Sequence, residues 1–245
     1  DPNYVEVDPY TPTFSPYSPR PFENCPDYQR YGGNMQEYMR LYYGMVSQID
    51  DGVGRIMKCI EELGIRDETL LIFTSDHGDM QGSHGFKNKD LPYEKSCGIP
   101  LIISAPGGLK NHVSDIPVSC IDLFPTCLDF AGLPIYNHFQ GVSILPLITG
   151  DTASYTHPPV IAESFNHSLR LTENEKGCSW KMIRDGKYKL TVNWDTKEPC
   201  LLYDMDLDPY EMNNLVHSEG HKHIIDELLR KLIKEVGNGG MCNEQ

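Results

Sequence analysis

The run Thr69-Leu-Leu-Ile-Phe-Thr-Ser75 is apolar along its centre and stops abruptly at Asp76-His77-Gly78-Asp79. A strand with no polar face must be covered on both sides, as happens in the interior of a parallel sheet flanked by helices. Strand Leu70–Ser75 is therefore expected inside a sheet. Ile99-Pro-Leu-Ile-Ile-Ser104 is a second such run, and Pro100 places it at an edge or marks its start. The polar, glycine-containing stretch 76–98 between them is too long for a plain connection. Asp122–Phe130 reads as a short helix with Pro125 in its first turn, closed by Gly132. These pieces describe half of an open α/β sheet, a fold that gathers ligands at the C-terminal ends of its strands.

Upstream, residues 1–33 carry Pro9, Pro12, Pro16, Pro19, Pro21 and Pro26. Proline at that density excludes helix and central strand, so an extended, irregular segment is expected. From Asn34 the apolar residues Met35, Tyr38, Tyr42, Met45, Ile49, Val53, Ile56, Ile60 and Leu63 recur by threes and fours. That spacing predicts an amphipathic helix with Asn34 as N-cap and Gly64 at C′. Asp50-Asp51 beside Gly52 and Gly54 is unusual inside a helix, and fits either a close-packed backbone or a functional face.

Beyond residue 152 the pattern changes. Val160–Ser164 and Cys200–Asp204 read as strands, Lys181–Leu190 as a hairpin turning at Asp185-Gly186, and Ser218–Val236 as an amphipathic helix. The expected division is an α/β part over 1–152 and a small antiparallel sheet with one helix over 153–245.

The chain has 245 residues and a formal charge of −14, from 21 basic and 35 acidic side chains. That balance provides no footprint for nucleic acid or anionic lipid. No apolar run approaches the ~18 residues of a membrane span. The cysteines at 25, 59, 97, 120, 127, 178, 200 and 242 include no Cys-x-x-Cys pair, which argues against a thiolate zinc site and for reduced, structural thiols. Cys59, Cys120 and Cys127 fall on apolar faces and are expected to be buried. Asp1-Pro2-Asn3-Tyr4 lacks the features of a signal peptide, so a cytoplasmic location is expected. A secreted or periplasmic one would follow if a signal precedes a truncated start.

An adjacent Asp76 and His77 offer a hard oxygen and an imidazole nitrogen that can share one divalent cation, and Gly78 permits the sharp turn this needs. Three such residues alone fit an Asx turn equally well. The surrounding run Ser75-Asp-His-Gly78, Gly82-Ser-His-Gly85, Lys89 four residues before Tyr93-Glu94, then Ile99-Pro-Leu-Ile-Ile103, resembles the C-terminal signature of the sulfatases, members of the alkaline phosphatase superfamily. Tyr43–Arg55, Asp122-Leu-Phe-Pro-Thr126, Ala131-Gly-Leu-Pro134, Gly141-Val-Ser-Ile-Leu-Pro146 and Leu202-Tyr-Asp204 through Asp208-Pro-Tyr-Glu211 and Asn214 are similar to further family segments, in family order.

The resemblance implies part of an alkaline-phosphatase-like mixed/parallel sheet with helices, plus a small C-terminal antiparallel sheet with one helix. It implies Asp76 and His77 as metal ligands, Lys89 as the sulfate-binding cation, and His84 beside the substrate or leaving group. Asp79 lies one residue too far along for assured ligation. The implied cation is Ca2+, with Mn2+ or Mg2+ as alternatives, weakly bound or absent in this chain taken alone. A sulfated small molecule or sugar ester is the implied substrate. Phe165, Asn166, His167 and Arg170, in the loop expected after Val160–Ser164, would contact its alcohol part.

Two family elements are missing. No Cys-x-Pro-Ser-Arg or Ser-x-Pro-Ser-Arg run, the source of the formylglycine nucleophile, occurs here, and no Asp-Asp pair ends a first strand. The chain thus resembles the C-terminal portion of a sulfatase, its partner the missing N-terminal half, and it is expected to be inactive alone. A phosphonate monoester or phosphodiester hydrolase of the same superfamily, and a non-catalytic module binding anionic sugars or a partner, are the alternatives.

Overall fold

The computed structural model describes residues 13–14, 35–86, 88–170 and 178–239. The proline-rich segment, apart from Thr13–Phe14, and the expected N-cap Asn34 lie outside them.

Helix α1 (Met35–Glu62) follows the apolar periodicity. It closes as read: the Gly64 N–H donates to the Glu61 carbonyl and the Ile65 N–H to Ile60, with Gly64 at φ 67°. That is a Schellman motif, in which the left-handed C′ position favours glycine. The apolar stripe of α1 is not packed. It faces β2 (Leu71–Thr74) and β3 (Leu101–Ser104) across a cavity of about 1290 Å³, with Met39, Val46 and Val53 on one wall and Leu71, Phe73 and Ile102 on the other. Among the described residues nothing lies within 4 Å of where a Cβ on Gly52 or Gly54 would be.

The expected parallel neighbour is not found among the described residues. Among the described residues β2 pairs only with β3, antiparallel, Leu71 opposite Ser104 and Thr74 opposite Leu101. Its residues are half-buried, and Ile102 on β3 is 63% exposed. The apolar run is long enough for a central strand, but the elements that would cover it are not among the described residues.

After the short helix α2 (Glu94–Cys97) and β3, the chain forms α3 (Leu123–Phe130) and α4 (Leu145–Thr149). Gly132 ends α3 at φ 67°. The five-stranded antiparallel sheet then follows, ordered β1-β4-β5-β6-β7: β1 (Thr13–Phe14), β4 (Val160–Arg170), β5 (Cys178–Asp185), β6 (Tyr188–Asn193) and β7 (Glu198–Asp204). The β5–β6 hairpin pairs Asp185 with Tyr188, so its loop residues are Gly186 and Lys187, one position later than read. Gly186 supplies the positive φ.

Strand alternation gives this sheet two cores. Ile183, Leu190, Val192 and Leu202 meet Ile225, Leu228 and Leu232 of the C-terminal helix α5 (Lys222–Gly239). The opposite face, with Trp180, Met182, Leu201 and Tyr203, packs against Met80, Phe86, Leu91 and Tyr93 of the 76–98 loop. The loop is therefore half of a hydrophobic core, which explains how a long polar stretch is held. Cys59, Cys120 and Cys127 are exposed among the described residues rather than buried hydrophobes.

Candidate active site

Asp76 and His77 stand immediately after β2, at its C-terminal end. Their side chains converge: Asp76 Oδ2 lies 3.4 Å from His77 Nε2. The His77 Nδ1 is 2.7 Å from the Gly78 carbonyl, which can only accept, so Nδ1 carries the proton and Nε2 is left as a lone-pair donor. Lys89 Nζ sits 2.6 Å from that Nε2. A carboxylate, an imidazole lone pair and an ammonium thus meet at one point on an accessible surface. Slight desolvation raises the Asp76 pKa, but backbone N–H groups, His77 and the Ser75 hydroxyl outweigh it and hold the carboxyl below its ordinary range. An anionic oxygen beside an imidazole Nε2 suits a divalent cation as part of its shell. Among the described residues no group of three or more His, Cys, Asp or Glu could complete such a shell.

The loop is fixed by its own polar groups. Gly78 is required: an added Cβ would fall 2.1 Å from the Lys95 carbonyl oxygen, and its N–H donates to the Ser96 carbonyl at 2.8 Å. Asp79 accepts the N–H groups of Gln81 and Asn88, both at 3.0 Å, so it staples the loop. His84 is buried and stacked on Tyr93, ring centroids 4.1 Å apart. Gln81, His84, Asn88 and Asp90 all adopt positive φ. Strained backbone of this kind persists only where surrounding structure over-determines it, and it gathers at functional sites.

Of the expected site residues, the structure brings Asp76, His77 and Lys89 together, and it places His84 in the core beneath them. Phe165, Asn166, His167 and Arg170 do not sit on a loop. Strand β4 continues to Arg170, pairing Leu169 with Cys178 beyond a register shift, because β5 extends to meet it. The side chains of Asn166, His167 and Arg170 lie outside the described residues.

Sequence reading missed the buried charges behind the loop. Lys189 donates to Glu94 Oε2 at 3.1 Å and to Glu211 Oε1 at 2.8 Å, and Arg184 donates to Glu94 Oε1 at 3.2 Å. Burial works against the Lys189 charge, but the two carboxylates outweigh it and raise its pKa. The available signal was Glu94 and Glu211 within the family segments, read there as pattern only.

A family model described as sulfatase matches residues 8–133, and one described as N-sulphoglucosamine sulphohydrolase, C-terminal, matches 82–237. An arylsulfatase of Clostridium perfringens is 34% identical over 203 residues, 80% of this chain and 39% of that protein. An N-acetylglucosamine-6-O-sulfatase of Bacteroides thetaiotaomicron is 30% identical over 198 residues, 80% of this chain and 35% of the relative. A solved structure in complex with its substrate D-glucosamine-2-N,6-O-disulfate superposes with a TM-score of 0.71 at 28% identity, covering 86% of this chain and 43% of that one. The phosphonate monoester hydrolase of Agrobacterium radiobacter gives 0.71 at 28%, covering 84% and 42%. The chain spans well under half the length of these relatives.

Proposed function

This chain belongs to the sulfatase family, and on that premise we propose that it is the C-terminal portion of a sulfuric ester hydrolase. The observation that carries the reading is the meeting of Asp76, His77 and Lys89 at the end of β2. Family members use a divalent cation. Asp76 and the Nε2 of His77 would hold part of its shell; the family resemblance supports Ca2+, with Mn2+ or Mg2+ as alternatives, and the Asp76 carboxylate suits all three. The cation would polarise the sulfuryl oxygens. Lys89, relieved of His77 when that nitrogen is engaged, would turn its ammonium onto the ester's developing negative charge.

A sulfated sugar or related small ester is the proposed substrate, as in the relatives named for such esters. Asn166, His167 and Arg170 are proposed to contact its alcohol part. The nucleophile and the remaining metal ligands would come from the N-terminal half of such an enzyme, whose strands would cover β2 and β3 across the open cavity. A second reading, phosphonate monoester hydrolysis, is favoured by the equal superposition on the Agrobacterium enzyme.

The test is turnover by the full-length protein of an aryl sulfate and an aryl phosphonate monoester, with Asp76→Asn and Lys89→Ala. Faster sulfate turnover that both variants reduce by about a hundredfold or more is expected. Dominant phosphonate turnover would transfer the assignment, and unaffected variants would end it.

A further inference from the structure

The two arms of the site loop hang from one short helix. Ser96 of α2 accepts the Gly78 N–H through its carbonyl, at 2.8 Å, directly after His77. The same residue accepts the Leu91 N–H through its hydroxyl, at 3.3 Å, two residues after Lys89. A helix of four residues has no rigidity of its own. What holds it is outside the loop: Glu94, its first residue, is bound by Lys189 and Arg184 from the antiparallel sheet, and the Glu94 N–H donates to Glu211 Oε2 at 2.7 Å. Lys189 and Glu211 have side chains only 1% and 2% exposed, so these charges are held by each other and not by water. Two cations and two carboxylates balance, the buried Lys189 and Glu211 at one end and the partly exposed Arg184 and Glu94 at the other. A second tie comes from Trp180, whose indole N–H donates to the Asp90 carbonyl at 3.1 Å, one residue past Lys89.

Glu211 also sits at φ 58°, a conformation a glycine adopts without cost. A strained glutamate in place of a relaxed glycine is explained when its carboxylate has work that no glycine could do. Here that carboxylate bridges the Lys189 ammonium and the Glu94 backbone.

We propose that Glu211, acting with Lys189 on Glu94, is a positioning residue for ester hydrolysis: it fixes the helix that sets His77 and Lys89 relative to each other. The inference rests on the sulfatase reading for its reaction, and on geometry alone for its structural content. Displacements of about 1 Å at reacting groups cost on the order of a hundredfold in rate, so a loosened α2 reaches the chemistry without touching substrate.

The experiment uses the full-length enzyme and Glu211→Gln, which keeps the size and one oxygen but removes the charge. Below the variant's melting temperature, kcat for an aryl sulfate is expected to fall by about tenfold to a hundredfold while KM stays within about twofold. Hydrogen exchange should quicken in peptides covering 77–91 and remain slow in β6 (Tyr188–Asn193). Unchanged kcat, or exchange quickened uniformly across the sheet, would overturn the proposal. Should Glu211→Gln not fold, Trp180→Phe carries the test, with a several-fold loss of kcat and faster exchange confined to the same loop expected. Wild-type values for both would again overturn it. The wild-type substrate separates the two inferences: turnover of the aryl phosphonate in place of the aryl sulfate removes the sulfatase reading, whereas the exchange pattern still judges the positioning.

Discussion

His157 and Asp122 show how much a single pair decides. His157 Nδ1 is 2.6 Å from the Pro158 carbonyl and Nε2 is 3.0 Å from Asp122 Oδ2, so both nitrogens face acceptors and the imidazolium is favoured. Burial lowers the His157 pKa, but Asp122 and the Pro158 carbonyl outweigh it and raise it above its ordinary value. A raised folded pKa contributes stability that is fully present below the unfolded value of ~6.5 and is lost as pH climbs through the folded one. For Asp122, burial raises the pKa, but His157 and the N–H groups of Val142 and Ser119 overcome this and depress it. Its contribution is present above ~3.9 and is lost as pH falls through the depressed folded value. Melting temperature should therefore decline on the alkaline side of ~6.5, and His157→Gln should flatten that limb. A limb of equal slope in the variant would show that His157 is not its source. At this scale Asp76, His77 and Lys89 were legible because they lie within one segment. Lys189 and Glu211 were not, because Glu94 meets Glu211 across 117 residues and no local pattern marks such a partner.

Helices and strands were legible in proportion to how local their causes are. The Schellman ends at Gly64 and Gly132 follow from neighbouring residues and came out as read. Strand β4 outran its apolar stretch, because pairing with β5, broken by a register shift after Ser164, resumes at Leu169 opposite Cys178. The β2 run is apolar on both faces, but its direction relative to β3 depends on the path of the intervening loop, which composition does not encode. Two changes test these elements. Gly78→Ala would force its Cβ against the Lys95 carbonyl and should cost more than ~1 kcal/mol in urea unfolding of the chain. Leu232→Ala, emptying a fully buried place between α5 and the sheet, should cost ~2–5 kcal/mol by the same measurement. A loss under ~0.5 kcal/mol in either case would mean that the contact is not made in solution.

For the molecule as a whole, the division of labour is uneven. The antiparallel sheet has two packed faces, whereas α1 and the β2–β3 ribbon face each other across open space. Calcium favours about six to eight oxygens, and Asp76 and His77 supply one carboxylate and one imidazole. Titration calorimetry of this chain with calcium or manganese should show little heat, and tight stoichiometric binding would mean that the ligands lie elsewhere. Adding the N-terminal half of the enzyme should raise the chain's melting temperature through linkage, and no shift would argue against the proposed partner. The loop core has a further consequence, in time rather than space. Glu94 leaves the ribosome 117 residues before Glu211. At ~5–20 residues per second, that leaves the loop without its anchor for roughly 6–23 s. For most of that interval, until β5 and β7 have emerged, Met80, Leu91 and Tyr93 have no sheet to pack against, so the nascent chain carries the Lys89 arm as exposed, sticky polypeptide and acquires an ordered site only as its last strands and closing segment arrive.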